Sequence, residues 1–250
     1  MLKSLGEFLK NNLKMQLFMS VILLMAVTSI ACNMDKVAKK ERLTEESKKQ
    51  NRNGKVVVID AGHGGKDPGK VGVKGTKEKD INLSISKLLK EELEISGFEV
   101  VMTRDEDRNE DISKISDLKK RCDIINDTYE INGECVLISI HQNSFAQKSV
   151  HGAQAFYFQR SEKSKKLAEA LQKYLNGKIN TEKPKNPKPN DSYYMLINSK
   201  CPGAIIECGF LSNEREEAML NDEKHQKEIV SVIKQGIMEY FAMKQAISNT

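Results

Sequence analysis

From Lys55 onward, short β-branched runs alternate with longer stretches in which apolar residues recur at helical spacing. Few architectures accept that alternation. Lys55–Asp60 (KVVVID) reads as a strand that ends in a glycine-rich loop. Ile81, Ile85, Leu88, Leu89 and Leu93 then form a helical stripe that Gly97 stops, and Phe98–Thr103 is a second strand. Ile115, Leu118, Cys122, Ile125 and Tyr129 mark the next helix, with Gly133 after it. Cys135–Ile140 is a third strand and Ala153–Phe158 a fourth. Leu167, Leu171, Tyr174 and Leu175 predict a helix from about Ser161 to Gly177. The proline-bearing segment 181–191 reads as an exposed loop, and Tyr193–Ile197 and Ala204–Glu207 as two more short strands. Asn213 and Glu216 have the spacing of a capping box, and Ile229, Ile233, Ile237 and Phe241 predict a long terminal helix. The expected class is α/β: a twisted, mostly parallel sheet of about six strands with helices on both faces.

Charge divides the chain in two. Residues 1–54 hold ten Lys/Arg and five Asp/Glu, whereas the remainder holds thirty of each, so the whole excess of +5 lies in the N-terminal extension. The folded part therefore offers no electrostatic case for a nucleic-acid partner. Within the extension, Lys3, Lys10 and Lys14 precede an uncharged run from Met15 to Cys32, which predicts export across the cytoplasmic membrane. Three fates stay open: cleavage after Ala31, lipid attachment at Cys32, or an uncleaved membrane anchor. The expected layout is an export or anchor segment (1–32), a charged polar tether (33–54) and a folded domain (55–244). Five cysteines without C-x-x-C spacing argue against a disulfide framework and a zinc ribbon.

Ligands of such sheets bind beyond the carboxyl ends of the strands. Three strand ends carry suitable residues: Asp60-Ala61-Gly62-His63-Gly64-Gly65, His141-Gln142-Asn143-Ser144, and Glu207-Cys208-Gly209-Phe210. Two of the four histidines fall at those ends, and Glu78 stands where the chain re-enters a helix. Two imidazoles and one carboxylate suffice for a catalytic zinc that keeps an open position. A further carboxylate could then move a proton. A dinucleotide loop is disfavoured, because about fifteen residues separate the last glycine of the Asp60 loop from the helix. His151 and His225 show no partner pattern, and strand alternation turns Cys208 away from the face of Glu207.

VVVIDAGHGGKDPG (56–69), Glu78 with the helix that follows, MTR (102–104), SIHQNS (139–144) and AIIECGFLSN (204–213) together resemble the zinc-dependent N-acetylmuramoyl-L-alanine amidases of bacterial cell walls. The resemblance implies Zn2+ held by His63, Glu78 and His141, with Glu207 as catalytic acid/base. Asn143 matches an H-x-N motif, and Leu118, Arg121 and Asn126 fit the helix before the third strand. The implied substrate is peptidoglycan, cut at the amide between N-acetylmuramic acid and L-alanine outside the membrane. Sixty-six residues separate His141 from Glu207, too few for a self-inhibiting helical insertion as well as the elements already assigned there. That compact layout most resembles the spore-cortex amidases, which prepare muramic acid for muramic-δ-lactam. Alternatives are a vegetative autolysin, an inactive peptidoglycan-binding scaffold and a metal-dependent sugar deacetylase. Whether an activating protein partner completes the site is left open.

Overall fold

Every residue of β1 (Val56–Ala61) is buried, which a strand achieves only inside a sheet covered on both faces. The computed structural model describes Met34, residues 54–107 and residues 112–248. The expected export segment and nearly all of the tether lie outside the described residues. After β1 come α1 (Glu78–Ile95), β2 (Glu99–Met102), α2 (Lys114–Asn132), β3 (Val136–Asn143) and β4 (Gln154–Phe158). The chain continues through α3 (Glu162–Lys178), β5 (Lys188–Asn190), α4 (Tyr194–Asn198), β6 (Gly203–Phe210), α5 (Glu214–Leu220) and α6 (Glu223–Ser248). The six strands form one sheet in the order β2-β1-β3-β6-β4-β5. From β2 to β6 neighbours run parallel, and the β6–β4 pair is antiparallel. This is the α/β class that the alternation demands.

Alternation along the central strands feeds two cores. Val57, Ile59, Ile138, Ile140 and Ile206 pack with Ile85 and Leu89 of α1, Leu171 of α3, and Ile233 and Ile237 of α6. Val56, Val58 and Leu137 face the other way, toward Cys122 and Ile125 of α2 and Met195 of α4. Each fully buried aliphatic side chain contributes about 1.5–3 kcal/mol, so the larger core carries most of the stability. Ser139, His141, Ile205 and Glu207 share the parity of Leu137 and lie on the α2/α4 face. The strand ends that hold chemistry therefore open on the smaller core. Among the described residues, no helix is long and apolar enough to cross a membrane.

Three sequence expectations need correction. Tyr193–Ile197 is not a strand, since Asn190 Oδ1 accepts from the backbone N–H of Ser192 (2.9 Å) and Tyr193 (2.7 Å) and turns the chain into α4. Segment 181–191 is not wholly irregular, since Lys188–Asn190 pairs in parallel with β4. Pro189 is tolerated there because β5 is an edge strand, where a missing N–H breaks no second ladder. The odd cysteine count hides one disulfide, Cys135–Cys201, formed because β3 and β6 are neighbours and bring the two Cα atoms to 5.4 Å. Asn213 caps α5 as expected, accepting from the N–H of Arg215 and Glu216. The Glu216 carboxylate, however, accepts from the N–H of Phe210 and Gly152 instead of closing the box.

Candidate active site

His63 follows β1, Glu78 is the first residue of α1, and His141 lies within β3. The fold brings them together: one donor atom from each lies within 4.8 Å of the others. Glu78 sits between the rings, its Oε2 3.2 Å from His63 Nε2 and its Oε1 3.0 Å from His141 Nδ1. The same carboxylate accepts from the backbone N–H of Lys70 (2.7 Å) and Gln142 (3.0 Å), which fixes its orientation. Burial opposes its ionisation, but the two imidazoles hold the carboxyl well below the usual carboxylate range. Burial likewise opposes protonation of His63, yet Glu78 and Asp67 raise its pKa overall.

The donor set suits a zinc ion. Two imidazoles and a carboxylate are a three-ligand catalytic set. The second ring nitrogen of His63, Nδ1, contacts Asp67 Oδ2 at 2.9 Å, the outer carboxylate that such ligands commonly use. Space around the cluster is reserved by glycine. A methyl group at Gly62 would overlap the His141 ring, and at Gly69 it would crowd Glu78 and His63.

Glu207 completes the group. It is the register partner of His141 across the β3–β6 pair, so both side chains emerge on one face of the sheet. It lines the same cavity of about 340 Å³ as His63, Glu78 and His141. Burial, reinforced by the negative charge of Glu78 and opposed by His141, His63 and Lys70, raises its pKa to about 7. Its Oε2 is buried and has no hydrogen-bond partner among the described residues. A carboxylate in this state can take up and release a proton near neutrality.

Beneath the His63–Glu78–His141 cluster lies a support whose connections are invisible in any one motif. Asp60 is buried beside Arg121 of α2, with Oδ1 2.9 Å from Nη1. Ser139 and Thr103 each donate a hydroxyl hydrogen bond to Asp60 at 2.6 Å. Burial pushes this carboxyl upward, but Arg121 and the hydroxyls outweigh it and hold the pKa at about 2. Arg121 also donates to the carbonyls of Ala61 (2.7 Å) and His63 (2.6 Å). That clamp matters because His63 has φ of 61°, a left-handed conformation that non-glycine residues avoid. Arg104 donates to the carbonyls of Ala61, Gly62 and Lys79, tying the His63 loop to α1. Its place in the MTR motif was a signal, although the sequence alone gave it no role.

The other expected residues divide. Asn143 and Leu118 line the cavity, and Asn143 Oδ1 accepts from the N–H of Ser144 to turn the strand end. Asn126 stands apart, donating to the Asn198 carbonyl and accepting from the Lys200 N–H, where it ties α2 to the end of α4 and the residues after it. His151 is exposed and His225 contacts Glu228; neither joins the cluster. Cys208 is buried in the larger core, facing away from Glu207 as alternation requires.

Comparison with known proteins gives the family. Residues 57–239 match the Amidase_3 family model, described as N-acetylmuramoyl-L-alanine amidase. The chain is 35% identical over 200 residues to the germination-specific N-acetylmuramoyl-L-alanine amidase of Bacillus subtilis, covering 76% of this chain and 81% of that one. Among solved structures it resembles the CwlD amidase of Clostridioides difficile, solved in complex with the GerS lipoprotein. That likeness has a TM-score of 0.69 and 35% identity, over 76% of this chain and 99% of that one. It also resembles the catalytic domain of CwlV, an amidase from Bacillus (Paenibacillus) polymyxa. Here the TM-score is 0.64 and the identity 32%, over 75% of this chain and 98% of that one. With a family match across most of its length and the fold to go with it, the chain belongs to the N-acetylmuramoyl-L-alanine amidases, hydrolases of the bond that joins the stem peptide to the peptidoglycan glycan.

Proposed function

We propose that this amidase is zinc-dependent, works outside the cytoplasmic membrane, and strips stem peptides from muramic acid in spore-cortex peptidoglycan. One observation carries the chemistry: His63, Glu78 and His141 converge within 4.8 Å beside a buried carboxylate, Glu207, with an unpartnered oxygen. His63, Glu78 and His141 would hold the zinc, which when bound supplies a Lewis acid for the amide carbonyl and acidifies water. Glu207 takes the proton of the water that attacks the carbonyl carbon. It then delivers that proton to the alanine nitrogen as the carbon–nitrogen bond breaks. A pKa of about 7 suits both halves of that transfer. Glu78 sits between the two imidazoles, and Asp67 and Arg121 keep the His63 loop in place.

The cortex assignment rests on the likeness to the germination-specific Bacillus amidase and on the short span between His141 and Glu207. Residues 1–32 would export the chain or anchor it to the membrane, and residues 33–54 would tether the domain. The test is digestion of defined muropeptides with zinc-loaded protein, followed by labelling of new amino termini. New L-alanine termini with intact N-acetyl groups are expected. Release of acetate instead would make the protein a deacetylase. Because the CwlD relative was solved with a lipoprotein, an inactive preparation should be retested with envelope extract and with the Glu207→Gln protein as control. No alanine termini under either condition would refute the reading.

A further inference from the structure

Tyr193 is the residue whose sequence assignment failed most completely, and its actual position gives it chemistry. The Asn190 turn ends β5 and makes Tyr193 the residue that leads into α4. Its ring packs edge-on against Phe156 of β4, with centroids 5.7 Å apart and planes at 74°. Phe156 is directly opposite Ile205 in the antiparallel β4–β6 pair, two residues before Glu207. Opposed residues of a ladder share a face, so Phe156, Ile205, Glu207 and His141 all project from one side of the sheet. Tyr193 is laid over that side. With Glu207, Glu78 and both histidines it lines the same cavity.

The hydroxyl is left free to act. It makes no hydrogen bond among the described residues, and it lines the cavity in which Gln142 Oε1 and Glu207 Oε2 are also without a partner. Partial burial and the charges of Glu207 and Glu78 raise its pKa, so the group remains a protonated donor at neutral pH. A donor beside the carboxylates cannot compete with Glu207 for the proton of water, because it already carries one. It can serve an acceptor that gains negative charge.

Resting on the amidase reading above, we propose that Tyr193 is a catalytic residue whose hydroxyl donates a hydrogen bond to the carbonyl oxygen of the scissile amide as charge builds there. The C=O π pair moves onto oxygen when water adds to carbon, and returns when the C–N bond breaks. Tyr193 donates a hydrogen bond throughout and transfers no proton. Such a bond strengthens in the transition state, so it acts on kcat more than on KM.

Tyr193→Phe tests this, because it keeps the ring and its packing on Phe156 and removes only the hydroxyl. Against a defined muramyl peptide, kcat should fall about 10²-fold while KM stays within about threefold. Zinc content by metal analysis should be unchanged. A binding measurement separates ground state from transition state. By calorimetry, the peptide should bind Glu207→Gln and Glu207→Gln/Tyr193→Phe with the same affinity to within about twofold. Three results would overturn the assignment: kcat within threefold of wild type, a raised KM at unchanged kcat, or loss of zinc from Tyr193→Phe. A wild-type protein that stays inactive with envelope extract as well would overturn the amidase reading itself, and the role of Tyr193 with it. An active wild type beside an unaffected Tyr193→Phe would sink the tyrosine alone.

Discussion

Replacing Arg121 with alanine removes the cation that lets Asp60 remain ionised beneath the site. Asp60 is 1% exposed, and its carboxyl is held at about 2 against an ordinary 3.8. That depression corresponds to roughly 2.5 kcal/mol of folding stability. Because the folded pKa lies below the unfolded one, this share is fully present above pH 4 and is lost as pH falls toward 2. In Arg121→Ala the strongest group favouring the charge is gone, the hydroxyls of Ser139 and Thr103 and the nearby His141 are left, and burial moves the carboxyl upward. An uncompensated buried carboxylate at pH 7 should cost about 3–5 kcal/mol. Near pH 3 the variant's Asp60 is protonated, so the deficit should shrink. Urea unfolding at both pH values, in chelator so that metal plays no part, measures it. The same change frees the His63 carbonyl, so zinc affinity should also weaken by about 10–100-fold. A deficit under 1 kcal/mol at pH 7, or one that grows in acid, would refute the assignment of Asp60–Arg121 as a charged pair.

Two further outcomes are expected. Glu207→Gln should lower activity by about 10²–10⁴-fold with zinc retained, whereas His63→Ala should lose the metal; metal analysis beside a rate assay separates the roles, and zinc loss from Glu207→Gln would make Glu207 a ligand. Gly62→Ala sets a methyl group into the space of the His141 ring, so zinc content should collapse while far-UV circular dichroism stays near wild type; full zinc occupancy would show that the ring can move aside.

The strands and long helices were legible in the sequence because their signals are local. Val56–Ile59, the stripe from Ile81 to Leu93 and the terminal run from Ile229 to Phe241 declare their periods within a few turns of chain, and the structure keeps them. That His63, Glu78, His141 and Glu207 would converge could be anticipated because parallel sheets place binding residues at strand ends, and because the motifs around them match a known family. Parity along β6 was enough to separate Glu207 from Cys208. Residues whose state depends on partners far along the chain could not be read this way. Asp60 finds Arg121 sixty-one positions later, and Cys135 finds Cys201 sixty-six later, only because β1, β3 and β6 lie side by side with α2 packed over them. Tyr193–Ile197 has the composition of a strand, but it pairs with none of the six strands. The Asn190 side chain and the packing of Met195 under α2 make it a helical turn instead. Periodicity is written in neighbouring residues, whereas a hydrogen bond or a buried charge pair exists only once folding has closed the loop between its two ends.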